Sequence, residues 1–427
     1  MADDEAIAPR KVLRRLVLCL DGTWNTDDAQ TITNIVEIRN RVLPNDEDGV
    51  EQRVYYDWGV GTGLGLDRLT GGAFGDGMED KVRAAYRFLS ANFVEDDTGG
   101  TEIYIFGFSR GAYTARALAG FVGAAGLLRP ENCTAELENR VWRYYRTPPK
   151  RRLPADRIAF TPLVFPKVRI RCLGVFDTVG ALGIPVHWFS RLNRLRYDFH
   201  DTELGSNVEV ALQALALDEK RYAFQPAVWS KPQHTANRIV EQVWFPGVHS
   251  NVGGGYDDNR LSLIALHWML SRIETFGLGL AVEMPQPGDG IDHLAEGRIY
   301  ESRTGILYLP DIIRPAFRKV ANLAPVKGRY RPVGLLPHGI VFREYVHWTC
   351  LYRRQILRNR GADERYAPAN LELAIARVRA AYAPAEAPPP PGPPLLVVGI
   401  DGDILQPDSP AARAQVAGWL DDAAVPA

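Results

Sequence analysis

The sequence predicts an α/β fold: a mostly parallel, doubly wound sheet with helices on both faces and a cap excursion. Two observations carry this. Short, branched apolar runs alternate with segments of helical period as far as about residue 277, the pattern of βαβ units. Several of those runs end in glycine-rich turns bearing Asp, Ser or His, and open α/β sheets gather their functional groups at the carboxyl ends of strands.

In order along the chain, residues 1–13 read as a flexible tail, and "MADDEAIAPRKVLRRLVLCL" starts too acidic, with too short an apolar run, to be a secretory signal. "LVLCL" (16–20) is a strand ending at "DGTWN", and "RVYYDW" (53–58) is a strand running into a glycine-rich loop at 59–77. A helix is expected over 78–93, with Val82, Ala85, Tyr86 and Leu89 on one face. A strand at 102–106 and a helix from 110 to a glycine stop at Gly126 follow. "VRIRCLGVFD" (168–177) reads as a strand, "NVEVALQALALDEKRYAF" (207–224) as a helix, and "RIVEQVWF" (238–245) as a strand. "LSLIALHWMLSRIETFG" is a helix with Leu261, Ile264, Ala265, Trp268 and Met269 inward. Poor periodicity over about 275–340 reads as an excursion outside the sheet, a cap to the main domain at 14–380. Residues 381–394 form a Pro-rich linker, and 395–427 is either one more strand docked on the body or a small appendage.

A formal net charge of −1 exerts no global pull toward nucleic acid, and 46% hydrophobic with 24% charged residues is the balance of a soluble globular protein. The longest apolar stretch, 117–128, is too short to span a bilayer. The expected location is the cytoplasm as synthesised, with export by a route that needs no cleaved signal left open. Four scattered cysteines show no metal-finger spacing and read as thiols in a reducing compartment. "GVGTGLG" lacks the G-x-G-x-x-G fingerprint and no phosphate-binding G-x-x-x-x-G-K-[ST] exists, so neither cofactor nor metal is expected.

"IYIFGFSRGAYTAR" places Ser109 between Gly107 and Gly111 where a strand turns into a helix. That is the pattern of a nucleophile elbow, in which the serine is held in a strained turn beside a helix N-terminus. A serine hydroxyl needs a base, and the base an orienting acid. His249 lies in a glycine-rich turn after a strand, and Asp177 ends another; Asp218, Asp257 and Asp258 are rivals for the acid. The order Ser109, Asp177, His249 is that of α/β-hydrolases, with about seventy residues in each interval. Oxyanion donors would be the N–H of Arg110 and those of Gly22 and Thr23 in the "DGTWN" loop. Asp21 would cap that loop or help hold a cation. Trp24, Trp188 and Phe189 are candidate substrate contacts. The stretch 184–200, which mixes Trp188, Phe189 and Tyr197 with Arg191, Arg194 and Arg196, is either a lipid-facing rim or a cap segment with its aromatics packed inward.

The blocks "LCLDGTWN", "WGVGTG", "GFSRGAYTAR", "VFDTVGALG", "ALALDEKRYAFQPAVW", "WFPGVHSNVGGGY" and "YAPANL" together resemble the DUF2235 family over residues 14–371. That α/β-hydrolase family contains the catalytic domain of Tle1-like type VI secretion phospholipase effectors. The resemblance implies a phospholipase A-type esterase acting on a lipid or other acyl ester, peripheral contact with a membrane, and an immunity or secretion partner of unknown identity. The chain departs from the family at Asn251, where "HSDVGGG" is typical, at Gln213 and at Leu263. Two other readings stay open: a non-catalytic interaction module on a hydrolase fold, and a metal-dependent phosphohydrolase built on Asp21 and Asp257.

Overall fold

The computed structural model describes residues 11–22, 32–58, 71–179, 204–229, 237–286, 290–303, 317–318, 320, 342–357, 365–383 and 395–420. In chain order the elements are β1 (Lys11–Leu20), α1 (Asn34–Arg41), β2 (Gln52–Asp57), α2 (Gly71–Asn92), β3 (Gly99–Phe108) and α3 (Arg110–Ala125). After them come β4 (Leu127–Leu128), α4 (Ala135–Arg146), α5 (Pro154–Phe160), β5 (Val164–Phe165), β6 (Ile170–Phe176), β7 (Val208–Ala216) and β8 (Ile239–Phe245). The chain continues through α6 (His249–Gly253), α7 (Arg260–Thr275), β9 (Phe342–His347), α8 (Trp348–Ile356), α9 (Ala369–Ala381), β10 (Leu396–Val398) and α10 (Pro410–Leu420).

Eight strands form one sheet in the order β10-β9-β8-β7-β6-β3-β1-β2, and every neighbouring pair is parallel. Successive residues of a strand face opposite sides, and here both sides are covered. Leu16, Leu18 and Leu20 of β1 join Ile103 and Ile105 of β3 in a core under α2, α3 and α4. Val17 and Cys19 join Tyr104 and Phe106 in the opposite core, under α1, α7, α8 and α9. This is the doubly wound α/β architecture expected from the alternating pattern.

Two expectations are corrected. Residues 207–224 are not a helix: Val208–Ala216 is β7, at the centre of the sheet between β6 and β8. A central strand buried on both faces reads as a continuous apolar run, and its Ala- and Leu-rich composition mimics a helix. The helix expected from Met78 begins earlier, at Gly71, so part of the glycine-rich loop is helical. β9, which separates β8 from β10, is a strand that the sequence pattern does not predict. Residues 396–398 pair with β9 at the edge of the sheet.

No described helix is long and apolar enough to cross a membrane.

Candidate active site

β3, β6 and β8 all run the same way, so their carboxyl ends meet on one edge of the sheet. Ser109 directly follows β3, Asp177 directly follows β6, and His249 opens α6 just beyond β8. The Ser109 N–H donates to the Phe176 carbonyl at 3.1 Å, tying the first two corners together.

Ser109 has φ 58° and ψ −117°, a conformation that side chains rarely adopt. The turn closes only because its neighbours lack side chains. A Cβ on Gly107 would lie 2.6 Å from the Gly111 carbonyl oxygen, and one on Gly111 would lie 2.0 Å from that of Leu20. α3 begins at the next residue, Arg110, so the positive end of its dipole sits beside the serine.

His249 is set between the other two side chains. Its Nε2 lies 2.7 Å from the Ser109 Oγ, and its Nδ1 lies 2.6 Å from the Asp177 Oδ2. Because a carboxylate only accepts, the proton on Nδ1 points to Asp177 and Nε2 is the acceptor for the serine hydroxyl. The ring is sandwiched by Phe108, with centroids 4.7 Å apart, and Phe224, at 5.0 Å edge-on. Its backbone N–H donates to the Glu219 carboxylate at 3.3 Å. The turn before it is pinned by the Gly247 N–H on Asp218 Oδ2, at 2.6 Å. Asn251 accepts from the Val248 N–H and donates to the Arg298 carbonyl.

Asp177 is fully buried and also takes a positive φ, 42°. Its Oδ1 accepts from the Ala216 N–H at 2.9 Å. Arg318, likewise fully buried, grips both carboxylate oxygens, with Nη2 to Oδ2 at 2.9 Å and Nη1 to Oδ1. The same guanidinium donates to the carbonyls of Ala216 and Phe224. Asn370, at the start of α9, donates to the carbonyls of Arg318 and Leu217.

These contacts set the charges. Burial alone would raise the Asp177 carboxyl, but Arg318 and then His249 hold it well below the carboxylate range. Burial lowers His249 below the ordinary histidine value, outweighing the hydrogen bond and charge of Asp177. Burial would also raise Glu219, yet its ion pair with Arg221 holds it at about 2. Around a neutral imidazole the structure therefore places two ionised, paired carboxylates.

Of the residues singled out in the sequence, Ser109, Asp177, His249, Gly107, Gly111 and Arg110 come together. Gly22 lies against the serine, where a Cβ on it would be 3.3 Å from Ser109 Cβ. Its N–H donates to Asp21 Oδ1 at 2.7 Å. The other Asp21 oxygen accepts from the Thr33 hydroxyl at 2.6 Å and the Tyr56 hydroxyl at 3.2 Å, so the carboxylate braces this loop. Thr23, Trp24, Trp188 and Phe189 lie outside the described residues. Among the rival acids, Asp218 holds the Gly247 turn, Asp258 pairs with Arg260 at 2.7 Å, and Asp257 is exposed. Among the described residues, no group of three or more His, Cys, Asp and Glu is placed to hold a metal ion.

Sequence reasoning missed Arg318, Glu219, Arg221 and Phe224. A signal for three of them was present: "DEKRYAF" follows the end of β7 after one intervening residue, so Glu219, Arg221 and Phe224 fall on the same sheet edge as the serine.

Comparison with known proteins places this site in context. Residues 14–272 match the family described as T6SS, Phospholipase effector Tle1-like, catalytic domain. An uncharacterized protein of Saccharomyces cerevisiae, YEL023C, is 31% identical over 237 residues, covering 50% of this chain and 32% of the yeast protein. The chain thus spans about a third of the length of that curated relative. Among solved structures, an uncharacterized protein from Pseudomonas aeruginosa aligns with 19% identity and a TM-score of 0.38, over 64% of this chain and 47% of the other. A Tle1 effector bound to the VgrG spike of the type VI secretion system aligns with 22% identity and a TM-score of 0.35, over 58% and 52%. The family match covers more than half of the chain and contains Ser109, Asp177 and His249: the chain belongs to the Tle1-like type VI secretion phospholipase effector catalytic-domain family.

Proposed function

We propose that this chain is a serine hydrolase of acyl esters, with phospholipid as its substrate class. The observation that carries the reading is the unbroken line of hydrogen bonds from Ser109 through His249 to Asp177. His249 Nε2 takes the hydroxyl proton as Ser109 Oγ attacks the ester carbonyl. The carbonyl oxygen becomes an oxyanion beside the N-terminus of α3, where the N–H of Arg110 is the donor. The ester C–O bond then breaks, and the imidazolium returns its proton to the departing alkoxide. Water, deprotonated by the same imidazole, releases the acyl group and restores the serine. Asp177 fixes the tautomer and stabilises the transient cation, and Arg318 acts through Asp177 as a positioning residue.

The lipid substrate is supported by the family to which the chain belongs, as is a type VI secretion context. The test is labelling with a fluorophosphonate probe alongside hydrolysis of a phospholipid panel. Wild type labels and hydrolyses, whereas Ser109→Ala does neither, with turnover lower by a factor on the order of 10⁶. Equal labelling of both proteins would overturn the reading. Activity that survives in Ser109→Ala but is lost to a chelator would favour a metal-dependent hydrolase.

A further inference from the structure

Beside the loop that carries His249 lies an open cavity of about 850 Å³, lined by Val248 of that loop but by none of Ser109, Asp177 and His249. Four cations contribute to its walls: Lys220, Arg298, Arg353 and Arg365. Arg353 is the innermost, 7% exposed, while Arg298 and Arg365 are exposed. Its Nη1 donates to the carbonyls of Ala295 and Gly297, but its Nε has no hydrogen-bond partner. Among the described residues, no carboxylate forms an ion pair with it. Burial lowers the pKa of this guanidinium, while Tyr366 and Asp218, near enough to act on it through space, raise it.

None of the acids in the same walls bonds it directly. Asp218 already accepts from the Gly247 N–H and the Tyr366 hydroxyl, Glu301 is bound by Arg303, and Glu296 is exposed. Two tyrosines complete the chemistry: the Arg298 guanidinium lies over the Tyr300 ring at 4.9 Å, and that of Arg353 over Tyr366 at 5.3 Å. Planar guanidinium donors converging on a polar cavity match the oxygens of a phosphate group.

We infer that this cavity binds a phosphate-bearing ligand, with Arg353 as the inner cation and Lys220, Arg298 and Arg365 nearer the mouth. A free phosphate ester and a phospholipid headgroup share that chemistry. Because the site touches Val248 and Asp218, its occupant bears on the loop that presents His249. The inference makes no use of the serine chemistry.

The test uses the full chain carrying Ser109→Ala, which removes turnover without touching the cavity. Inorganic phosphate and glycerol 3-phosphate are titrated by calorimetry, and phosphatidylglycerol vesicles are tested by co-sedimentation with glycerol 3-phosphate as competitor. Saturable phosphate binding is expected, weakened at least about tenfold by Arg353→Met and measurably by Lys220→Gln with Arg298→Gln, at constant ionic strength. If Arg353→Met does not fold, the double variant, which alters side chains at the mouth, decides. Soluble esters bound without vesicle capture identify a free phosphate ester; vesicle capture displaced by glycerol 3-phosphate identifies the headgroup. No saturable binding of any probe, or the same affinity in wild-type and variant cavities, would overturn the inference. Fluorophosphonate labelling of the parent chain is scored separately, so the serine reading and the phosphate site can each fail alone.

Discussion

Ser109 and Asp177 stand at the ends of adjacent strands, both with a backbone that side chains rarely adopt, φ 58° and 42°, but they are held there by opposite means. The serine corner is made by absence. Gly107 and Gly111 leave room for the Gly111 and Leu20 carbonyls to come within distances that no Cβ would tolerate. The aspartate corner is made by presence: a fully buried guanidinium takes both carboxylate oxygens, and two further carbonyls hold the guanidinium in turn. A corner built by exclusion needs only local sequence. A corner built by charge borrows a partner from wherever the fold delivers it, here 141 residues downstream.

The comparison breaks most sharply at Arg318. Replacing it with Met leaves Asp177 fully buried with His249 and one backbone N–H as its partners. Removing one member of such a pair costs about 3–5 kcal/mol of stability. A carboxyl that protonates to escape loses the charge that orients Nδ1–H and stabilises the imidazolium, and ester turnover would fall by a factor on the order of 10⁴. Arg318→Lys restores charge but not the two-pronged grip, so partial recovery of both quantities is expected. Wild-type stability and turnover in Arg318→Met would show that the charge does not hold this corner.

Gly111→Ala attacks the other corner. Its Cβ would sit 2.0 Å from the Leu20 oxygen and 2.5 Å from that of Asp21, both backbone atoms that cannot swing aside. About 3 kcal/mol should be lost in urea unfolding. Fluorophosphonate labelling should fall with it, because the shift also disturbs the loop that Asp21 braces.

How much of this was legible in the sequence follows from the same contrast. The elbow, the aspartate after β6 and the histidine turn each announce themselves within a dozen residues, through glycine spacing at a strand end. Arg318 does not, because it lies in a stretch of poor periodicity and its partner is set only by tertiary structure. Glu219, Arg221 and Phe224 were hidden for another reason: β7 is apolar on both faces, reads as a helix, and carried the following turn with it. Asn370 was visible only as part of "YAPANL", with nothing local to say that it holds the Arg318 carbonyl.

A gentler probe is pH. The folded-state pKa of His249 is depressed, chiefly by burial, so protonation favours the unfolded chain. Its contribution to stability is present above the ordinary value of about 6.5 and is lost as pH falls below it. As the proposed base, His249 is likewise neutral at pH 7, and the acid limb of kcat/KM should lie below about 6.5. An acid limb above that value would mean that Asp177 raises the imidazole more than burial lowers it.

The smallest effect expected, and the one that tells most about the third corner, is Asn251→Asp. The asparagine makes two bonds of opposite sense: Oδ1 accepts from the Val248 N–H at 3.2 Å, and Nδ2 donates to the Arg298 carbonyl at 2.9 Å. A carboxylate keeps the first and turns the second into oxygen facing oxygen, in a position 1% exposed. About 1–2 kcal/mol should be lost in urea unfolding, while His249, still held by Glu219 and Asp177, keeps turnover within about tenfold of wild type. A variant as stable as wild type would mean that the loop relaxes to give the carboxylate a donor. The histidine corner would then be neither excluded nor clamped into place, but carried on a turn that tolerates either side chain.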